Sequence, residues 1–269
     1  MNENVKRITE ANRSAWNMAM PYHQAAHGKE LDELFSVPGY IYQEEEDLLK
    51  IFRQIEITGK DVIHLCCNNG LELMSLKNMG AARCYGVDIS DAAIADGKQR
   101  AKKCGIDVSF LRANIYELPP ELDHSFDLVH VTIGGLGWLP DVALFFKTAA
   151  RLLRSGGRVL LFEMHPFGEM LPFDGDDHKN SLEIVEPYFR SEPIYGTDSL
   201  DYLGGNAYES SGHYWTVHTL SQIVMGASRA GFAIEHFEEY PYDMSCCHER
   251  QAELAAGIPL SYLLMGRIP

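Results

Sequence analysis

The sequence has no long apolar segment and no run of basic residues. No stretch approaches ~18 uninterrupted apolar residues, the length of a membrane-spanning helix, and the first residues lack the apolar region of a signal peptide. We therefore expect a cytoplasmic protein with no membrane partner. Asp and Glu outnumber Lys and Arg by 38 to 23, which gives a net charge of −15. Because phosphate neutralisation dominates nucleic-acid affinity, we expect a small-molecule substrate and no nucleic-acid partner.

The cysteines lack the spacing of a disulfide framework or a metal site. Four of the six form the adjacent pairs Cys66-Cys67 and Cys246-Cys247, and no C-x₂-C pair is present. We expect free thiols in a reducing compartment and no bound metal. The sequence also lacks a G-x-S-x-G elbow and a Walker loop, which argues against the hydrolase nucleophile and the phosphate-binding loop that these motifs mark.

What the chain does contain is a regular alternation of strand and helix patterns. The first strand, DVIHL, leads through a tight turn into a helix that opens at Gly70. The next two strands end at Asp88 and Asn114, and two further strands begin near Phe126 and Arg158. Five such units at α/β spacing predict a mostly parallel sheet with helices on both faces. The backbone N–H groups of the turn and the helix N-terminus after the first strand mark the ligand crevice of such a sheet.

The remaining segments predict one domain with additions to its core. The N-terminal helical pattern contains Pro21, where we expect a break, and it forms either a lid or an edge helix. A segment rich in Gly, Pro and Asp follows the fifth strand, carries nine aromatic residues and has no helical period, so we expect an ordered insertion over the crevice, with short strands. The predicted parts of this single domain, 1–269, are a lid over 1–39, a core over 40–165 and 217–269 with its first helix over 40–55, and an insertion over 166–216.

The order of these elements and the residues at the strand ends resemble class I S-adenosylmethionine-dependent methyltransferases, in particular the small-molecule enzymes of types 11 and 25. The family's first loop has the pattern apolar-apolar-acid-apolar-Gly-x-Gly-x-Gly. Here His64 stands at the acidic position, Cys66 and Asn68 stand at the first two glycine positions, and Gly70 retains the last. Cys is small and Asn tolerates positive φ, so the resemblance implies that the backbone turn is kept.

The resemblance implies a Rossmann-like, seven-stranded, mostly parallel sheet with helices on both faces, an antiparallel last strand and S-adenosyl-L-methionine as cofactor. Asp88 matches the acid that accepts both ribose hydroxyls, and Asn114 matches the residue that reads the adenine amino group. Ile115 matches the apolar neighbour that packs on the ring. The implied cofactor-binding set is His64, Cys66, Asn68, Gly70, Asp88, Ile89, Asn114, Ile115, Thr132 and Ile133.

Methyl transfer asks little of side chains, because the methyl donor is already an activated sulfonium. Alignment of the nucleophile and exclusion of water supply much of the rate, and a general base helps when the acceptor is a hydroxyl, an amine or an acidic carbon. Glu163 and His165 lie on the same side of the fifth strand if it continues that far, so they are the catalytic candidates, with His165 preferred. The candidate acceptor contacts are Trp16, Tyr22, Trp138, His165 and Tyr214.

Two other functions stay open from the residues alone. An NAD(P)-dependent oxidoreductase shares the strand, the loop and the distant acid, but it prefers G-x-G-x-x-G, so that pyrophosphate can approach the helix N-terminus. The loop here is instead spaced for Gly-x-Gly-x-Gly. A catalytically silent ligand-binding protein is conceivable because two glycines are replaced, although the intact Asp88 and Asn114 argue against it. The sequence leaves the oligomeric state open between monomer and homodimer.

Overall fold

A computed structural model describes residues 1–42, 45–175, 177–202, 204–245, 247–254 and 256–269. The strands are β1 (Asp61–Leu65), β2 (Arg83–Asp88), β3 (Ser109–Arg112), β4 (Phe126–Thr132), β5 (Leu153–Met164), β6 (Ile194–Gly196), β7 (His213–Trp215), β8 (Ala233–Tyr240) and β9 (Ser261–Arg267). The α-helices are α1 (Glu3–Phe35), α2 (Glu46–Gln54), α3 (Leu71–Asn78), α4 (Asp91–Cys104), α5 (Val142–Leu152), α6 (Leu220–Arg229) and α7 (Glu249–Glu253).

Seven strands form one sheet in the order β3-β2-β1-β4-β5-β9-β8. The first five pair in parallel, whereas β9 runs antiparallel to both β5 and β8. This confirms the predicted Rossmann-like sheet with an antiparallel last strand. The strand order reverses direction between β1 and β4, and ligands of open α/β sheets bind in the crevice beyond the carboxyl ends of strands at such a point.

Both faces of the sheet are covered, as the alternation of elements predicted. Successive side chains of a strand point to opposite faces, so Val62 packs into one core with α2 and α3 while Ile63 packs into the other with α5. Phe52 of α2 and Phe145 of α5 are fully buried on their respective sides. The two cores hold β1 rigidly, and with it the loop that follows its carboxyl end.

The predicted break at Pro21 is wrong, because α1 is one continuous helix of 33 residues that includes this proline. Proline in a helix interior removes one backbone hydrogen bond, so other contacts must compensate. Here α1 lies along α4 and is bonded to it on both sides of the proline. Asn17 donates to Asp91 at 3.0 Å, and Gln24 donates to Asp96 at 2.9 Å. Tertiary contacts therefore override the local signal.

Two other element boundaries differ from the prediction. The helix expected over 40–55 begins only at Glu46, after a turn at Gly39, where φ is +78°; the neighbouring Glu44 lies outside the described residues. Strand β5 begins at Leu153 and runs through the Ser-Gly-Gly sequence that was expected to separate helix from strand. Pairing with β4 explains this early start, because Leu153 pairs with Phe126 before the register between the two strands shifts.

The segment between β5 and α6 contains a small two-stranded sheet, in which β6 pairs with β7 in antiparallel fashion. This agrees with the short strands expected in the insertion. Cys66, Cys67, Cys84 and Cys104 are free thiols, as predicted, while Cys246 lies outside the described residues. Among the described residues, no helix is both long enough and apolar enough to span a membrane.

Candidate cofactor and acceptor site

The loop between β1 and α3 keeps its tight turn without the two missing glycines. Cys66, Asn68 and Gly70 all adopt positive φ, at 56°, 48° and 75°. These are the alternate positions at which the glycine pattern has its three glycines, so the predicted turn is present. A side chain at Gly70 would collide with the Phe110 ring, because a Cβ there would lie 2.4 Å from it. Glycine is therefore required at the third position by space as well as by φ.

Asp88 closes β2 and holds the adjacent loops. Its Oδ2 accepts a hydrogen bond from the Asn68 backbone N–H at 2.8 Å, and its Oδ1 accepts one from the Ser90 N–H at 2.8 Å. Burial raises the pKa of the Asp88 carboxyl, and these N–H groups oppose the rise. The Ile89 N–H also faces this carboxylate. A carboxylate can accept about four hydrogen bonds, so Asp88 retains accepting capacity beyond these backbone groups. The side-chain Oδ1 of Asn68 is buried without a hydrogen-bond partner, and the neighbouring Ile89 is half-buried.

Asn114 closes the turn after β3 and contacts α1. Its Oδ1 accepts from the Tyr116 N–H at 3.1 Å, and its Nδ2 donates to the Thr9 hydroxyl at 2.9 Å. Ile115 is buried beside it. The side chain expected to read adenine thus already stabilises a turn and the overlying helix, and a base bound here would share the Asn114 oxygen with the turn.

His64 is completely buried beneath the loop, in contact with two residues of β4. Its Nε2 lies 3.2 Å from the Thr132 hydroxyl, and its ring centroid lies 5.0 Å from that of His130. Burial lowers the pKa of both imidazoles, that of His130 to about 4, so both rings are neutral. His64 therefore reaches the crevice only through Thr132. The next residue, Ile133, is exposed at the exit of β4.

Glu163 holds the loop that follows β4. Its Oε2 accepts from the Gly134 N–H at 2.6 Å, and its Oε1 accepts from the Leu136 N–H at 2.8 Å. Burial raises the pKa of this carboxyl to about 7, against the effect of the loop N–H groups. Glu163, near the end of β5, thereby fixes the position of the glycine-rich loop that follows β4.

The other catalytic candidate, His165, points to the far edge of the sheet. Its Nε2 lies 2.8 Å from Glu239 of β8, and its Nδ1 accepts from the Phe167 N–H at 3.0 Å. Both ring nitrogens are thus engaged. Burial lowers the pKa of the imidazole, and the Glu239 carboxylate opposes this. The structure does not bring His165 together with the tryptophans that were expected to contact the acceptor.

All three tryptophans of the chain meet above the exit of β4. The Trp138 ring centroid lies 5.3 Å from that of Trp16 in α1 and 5.1 Å from that of Trp215 in β7, and both pairs are edge-to-face. Tyr22 stacks on Tyr208 elsewhere on the helix. The Tyr214 backbone N–H and C=O are both bonded to Asn12. Two of the predicted acceptor contacts, Trp16 and Trp138, therefore lie together, whereas Tyr22 and Tyr214 hold α1 to the insertion.

Glu169 is a buried residue of this region that the sequence analysis missed. One carboxylate oxygen accepts from the Trp215 indole N–H at 3.2 Å, and burial raises the pKa of the carboxyl to about 7. Glu169 lies in a segment without a repeating pattern, so nothing in the sequence distinguished it from a solvated acid. The three tryptophans were the available signal, because such rare residues often meet at binding sites.

Two asparagines of α1 were also missed. The Asn12 amide donates to the carbonyls of Trp138 and Tyr214, at 3.2 and 2.9 Å, and its oxygen accepts from the Tyr214 N–H at 2.7 Å. The Asn17 oxygen accepts from the Ser90 hydroxyl at 2.8 Å. The helix therefore spans the crevice from the end of β2 to the exit of β4.

The core of this chain is similar in sequence to a known domain family. The sequence model of the methyltransferase domain family matches residues 62–157, which run from β1 into β5. A demethylmenaquinone methyltransferase of Bacillus cytotoxicus is 34% identical over 109 residues, or 39% of this chain and 45% of that protein. The chain spans about half the length of the first curated relatives it matches.

Solved structures share the fold. An S-adenosylmethionine-dependent methyltransferase from Mesorhizobium loti superposes with a TM-score of 0.57 at 22% identity, covering 84% of this chain and 100% of that one. Geranyl diphosphate C-methyltransferase from Streptomyces coelicolor, solved with S-adenosyl-L-homocysteine, gives a TM-score of 0.56 at 13% identity and covers 83% and 79% of the two chains. At these identities the likeness concerns the fold.

Proposed function

We propose that this chain is a class I S-adenosylmethionine-dependent methyltransferase and that it transfers the methyl group of S-adenosylmethionine to a small-molecule acceptor. One observation carries the proposal. The loop after β1 turns through positive φ at Cys66, Asn68 and Gly70, and it is bonded to the Asp88 carboxylate. This backbone geometry is what a glycine-patterned donor-binding loop requires, although only one glycine remains.

The residues around this loop fit the donor. The remaining accepting capacity of the Asp88 carboxylate suits the hydroxyls of a ribose, and the buried, unpartnered Oδ1 of Asn68 offers a further acceptor. Asn114 and Ile115 are the residues that would face an adenine ring. Thr132, supported by the neutral His64, borders the position of the methionine end.

The chemistry comes mainly from the donor, whose sulfonium, when bound, supplies a methyl group activated for in-line displacement. The contribution of the chain is then to hold the donor and the acceptor in position and to exclude water. Glu163 fixes the β4 exit loop through two N–H groups, and Asn12 ties that loop and β7 to α1. Fixed alignment and exclusion of water are effects that can accelerate such a displacement by several orders of magnitude.

A small acceptor agrees with the enclosure and the charge of the molecule. The insertion and α1 bring Trp215 and Trp16 against Trp138 at the exit of β4, and a chain with a net charge of −15 repels nucleic acid. The named relatives act on small molecules, among them a demethylmenaquinone and geranyl diphosphate. We extend the proposal to a reducing, cytoplasmic setting, in keeping with the adjacent thiols Cys66 and Cys67.

Calorimetric titration tests the proposal. S-adenosylhomocysteine is expected to bind the protein, and NAD is not. Asp88→Ala removes the proposed ribose-binding carboxylate and its hydrogen bond to the loop, so we expect affinity for S-adenosylhomocysteine to fall by more than about tenfold. Asp107→Ala, a substitution of an almost fully exposed acid, is the control and leaves the affinity unchanged. Failure of wild-type protein to bind S-adenosylhomocysteine would contradict the proposal.

A further inference from the structure

A small, partly open cavity lies beside the β4 exit loop. It has a volume of about 30 Å³, and Gly137, Glu163, Glu169, Trp215, Thr216 and Tyr262 are among the residues that line it. A water molecule occupies roughly 10–15 Å³ on this measure, so the cavity holds a group of about two heavy atoms. It is too small for a ring, and its size fits the polar end group of a larger molecule.

The polar groups of this cavity are suited to a hydrogen-bond donor. The Glu169 carboxylate is buried, and one of its oxygens accepts from the Trp215 indole. The Thr216 hydroxyl is buried with no hydrogen-bond partner. Both oxygens of Glu163 already accept from the loop, so this carboxylate contributes negative charge. Among the described residues that line the cavity, none is a lysine or an arginine.

The charged groups around Glu169 leave the cavity negative. Glu163 raises the pKa of Glu169 by repulsion, and Arg190 lowers it by attraction. The Arg190 guanidinium is itself paired with Glu186, its Nη2 lying 2.5 Å from Oε2. Glu186 thus offsets the charge of Arg190, so the ionised form of Glu169 would be stabilised by a further cationic partner.

We propose that this cavity binds the protonated amino group of the methyl acceptor, so that the acceptor is a small molecule carrying an alkylammonium group. An ammonium has three N–H donors and no acceptor, which matches Glu169 and the unpartnered hydroxyl of Thr216. The inference rests on the proposed function, because the cavity lies against the loop that borders the donor's methionine end. Glu169 is then a specificity residue, and the Trp215 indole positions its carboxylate.

The site has a predictable pH dependence. Burial raises the pKa of Glu169 to about 7, whereas an alkylammonium stays charged up to about pH 10. Binding of the ammonium therefore requires the ionised carboxylate, and its affinity rises as the pH increases towards 7 and levels off above it. Ammonium binding in turn lowers the pKa of Glu169.

The test uses methylammonium as the probe, with the protein saturated by S-adenosylhomocysteine. Saturation-transfer NMR is expected to detect methylammonium, and isosteric methanol much more weakly. Glu169→Gln removes the charge with little change of shape, and Thr216→Val removes only the hydroxyl. We expect the first to weaken methylammonium binding by about tenfold or more and the second by several-fold. Glu192→Gln, which changes an exposed acid of the same segment, is the matched control and leaves binding unchanged.

The outcomes separate the two proposals. If S-adenosylhomocysteine binds but methylammonium does not, or if methanol competes equally well, the ammonium site is wrong while the methyltransferase proposal stands. Equal methylammonium binding by wild type and Glu169→Gln would also overturn the site. If S-adenosylhomocysteine itself fails to bind, the proposed function fails first.

Discussion

Cys66 and Asn68 hold backbone conformations that most side chains avoid. Asparagine tolerates positive φ better than other non-glycine residues, whereas a β-branched residue is strained there. We predict that Asn68→Val lowers the free energy of unfolding by about 1–2 kcal/mol, while Asn68→Gly changes it little. Urea unfolding measures both. If the valine variant is as stable as wild type, the loop does not need positive φ at this position.

Gly137 makes room for the Trp215 ring. A Cβ at this position would lie 2.3 Å from the indole, so Gly137→Ala must displace either the loop or the tryptophan. We predict a loss of about 1–3 kcal/mol in unfolding free energy, together with a change in tryptophan fluorescence. Gly28→Ala is the control. Gly28 lies in α1, and a Cβ added there would have its nearest neighbour at 3.8 Å, so we expect this substitution to stabilise the protein by about 0.5–1 kcal/mol. Equal effects of the two substitutions would contradict the packing argument.

Helix α1 is held over the crevice in part by polar side chains. Asn12 makes three hydrogen bonds to the β4 exit and β7, and its removal leaves those backbone groups without partners. We predict that Asn12→Ala destabilises the docked helix by about 1–3 kcal/mol and increases its cleavage in limited proteolysis. Asn4→Ala, at an exposed position of the same helix, is expected to behave like wild type. Unchanged proteolysis of the Asn12 variant would mean that other contacts hold the helix.

The helix ends and the turn glycines of this chain were predictable, because their causes are local. Ser90 caps α4, Gly105 ends it in a left-handed conformation, and Thr219 opens α6 with a capping box. The continuity of α1 through Pro21 was not predictable, because it depends on contacts with α4, about 70 residues away along the chain. Local chemistry fixes where these elements end, whereas tertiary contacts decide whether a helix-breaking residue such as Pro21 interrupts its helix.

The stability of the whole molecule is expected to depend on its buried carboxyls. Burial raises the pKa of Glu163 and Glu169 from 4.5 to about 7, so the folded protein binds more protons than the unfolded chain between these values. Their contribution to the free energy of unfolding therefore decreases as the pH rises from 4.5 to about 7 and then stays constant. We predict that Glu169→Gln removes its share of this decrease, measured by urea unfolding at several pH values. The exposed control Glu192→Gln keeps the wild-type slope, and an unchanged slope in the Glu169 variant would contradict the prediction.

The fold and the donor loop were more predictable than the acceptor side. The alternation of strands and helices, the turn at Gly70 and the acid at Asp88 follow from patterns that occur within about 30 residues. The tryptophan cluster joins α1, the β4 exit and β7, and Asn12 and Tyr214 are 202 positions apart. No periodicity links such residues, so Glu169 and the cavity it lines emerge only when the insertion folds back over the sheet. The catalytic roles of Glu163 and His165 remain predictions.

We expect the span of α1 across the crevice to couple the donor and acceptor halves of the proposed site. Through Asn17 the helix is bonded to the loop after β2, and through Asn12 it is bonded to the loop and strand that carry Trp138 and Tyr214. A ligand that secures the helix on one side lowers the cost of ordering it for a ligand on the other. Such coupling is reciprocal, so donor and acceptor change each other's dissociation constants by the same factor. Product dissociation from either half then loosens both, and release of the spent donor becomes a step that can limit turnover.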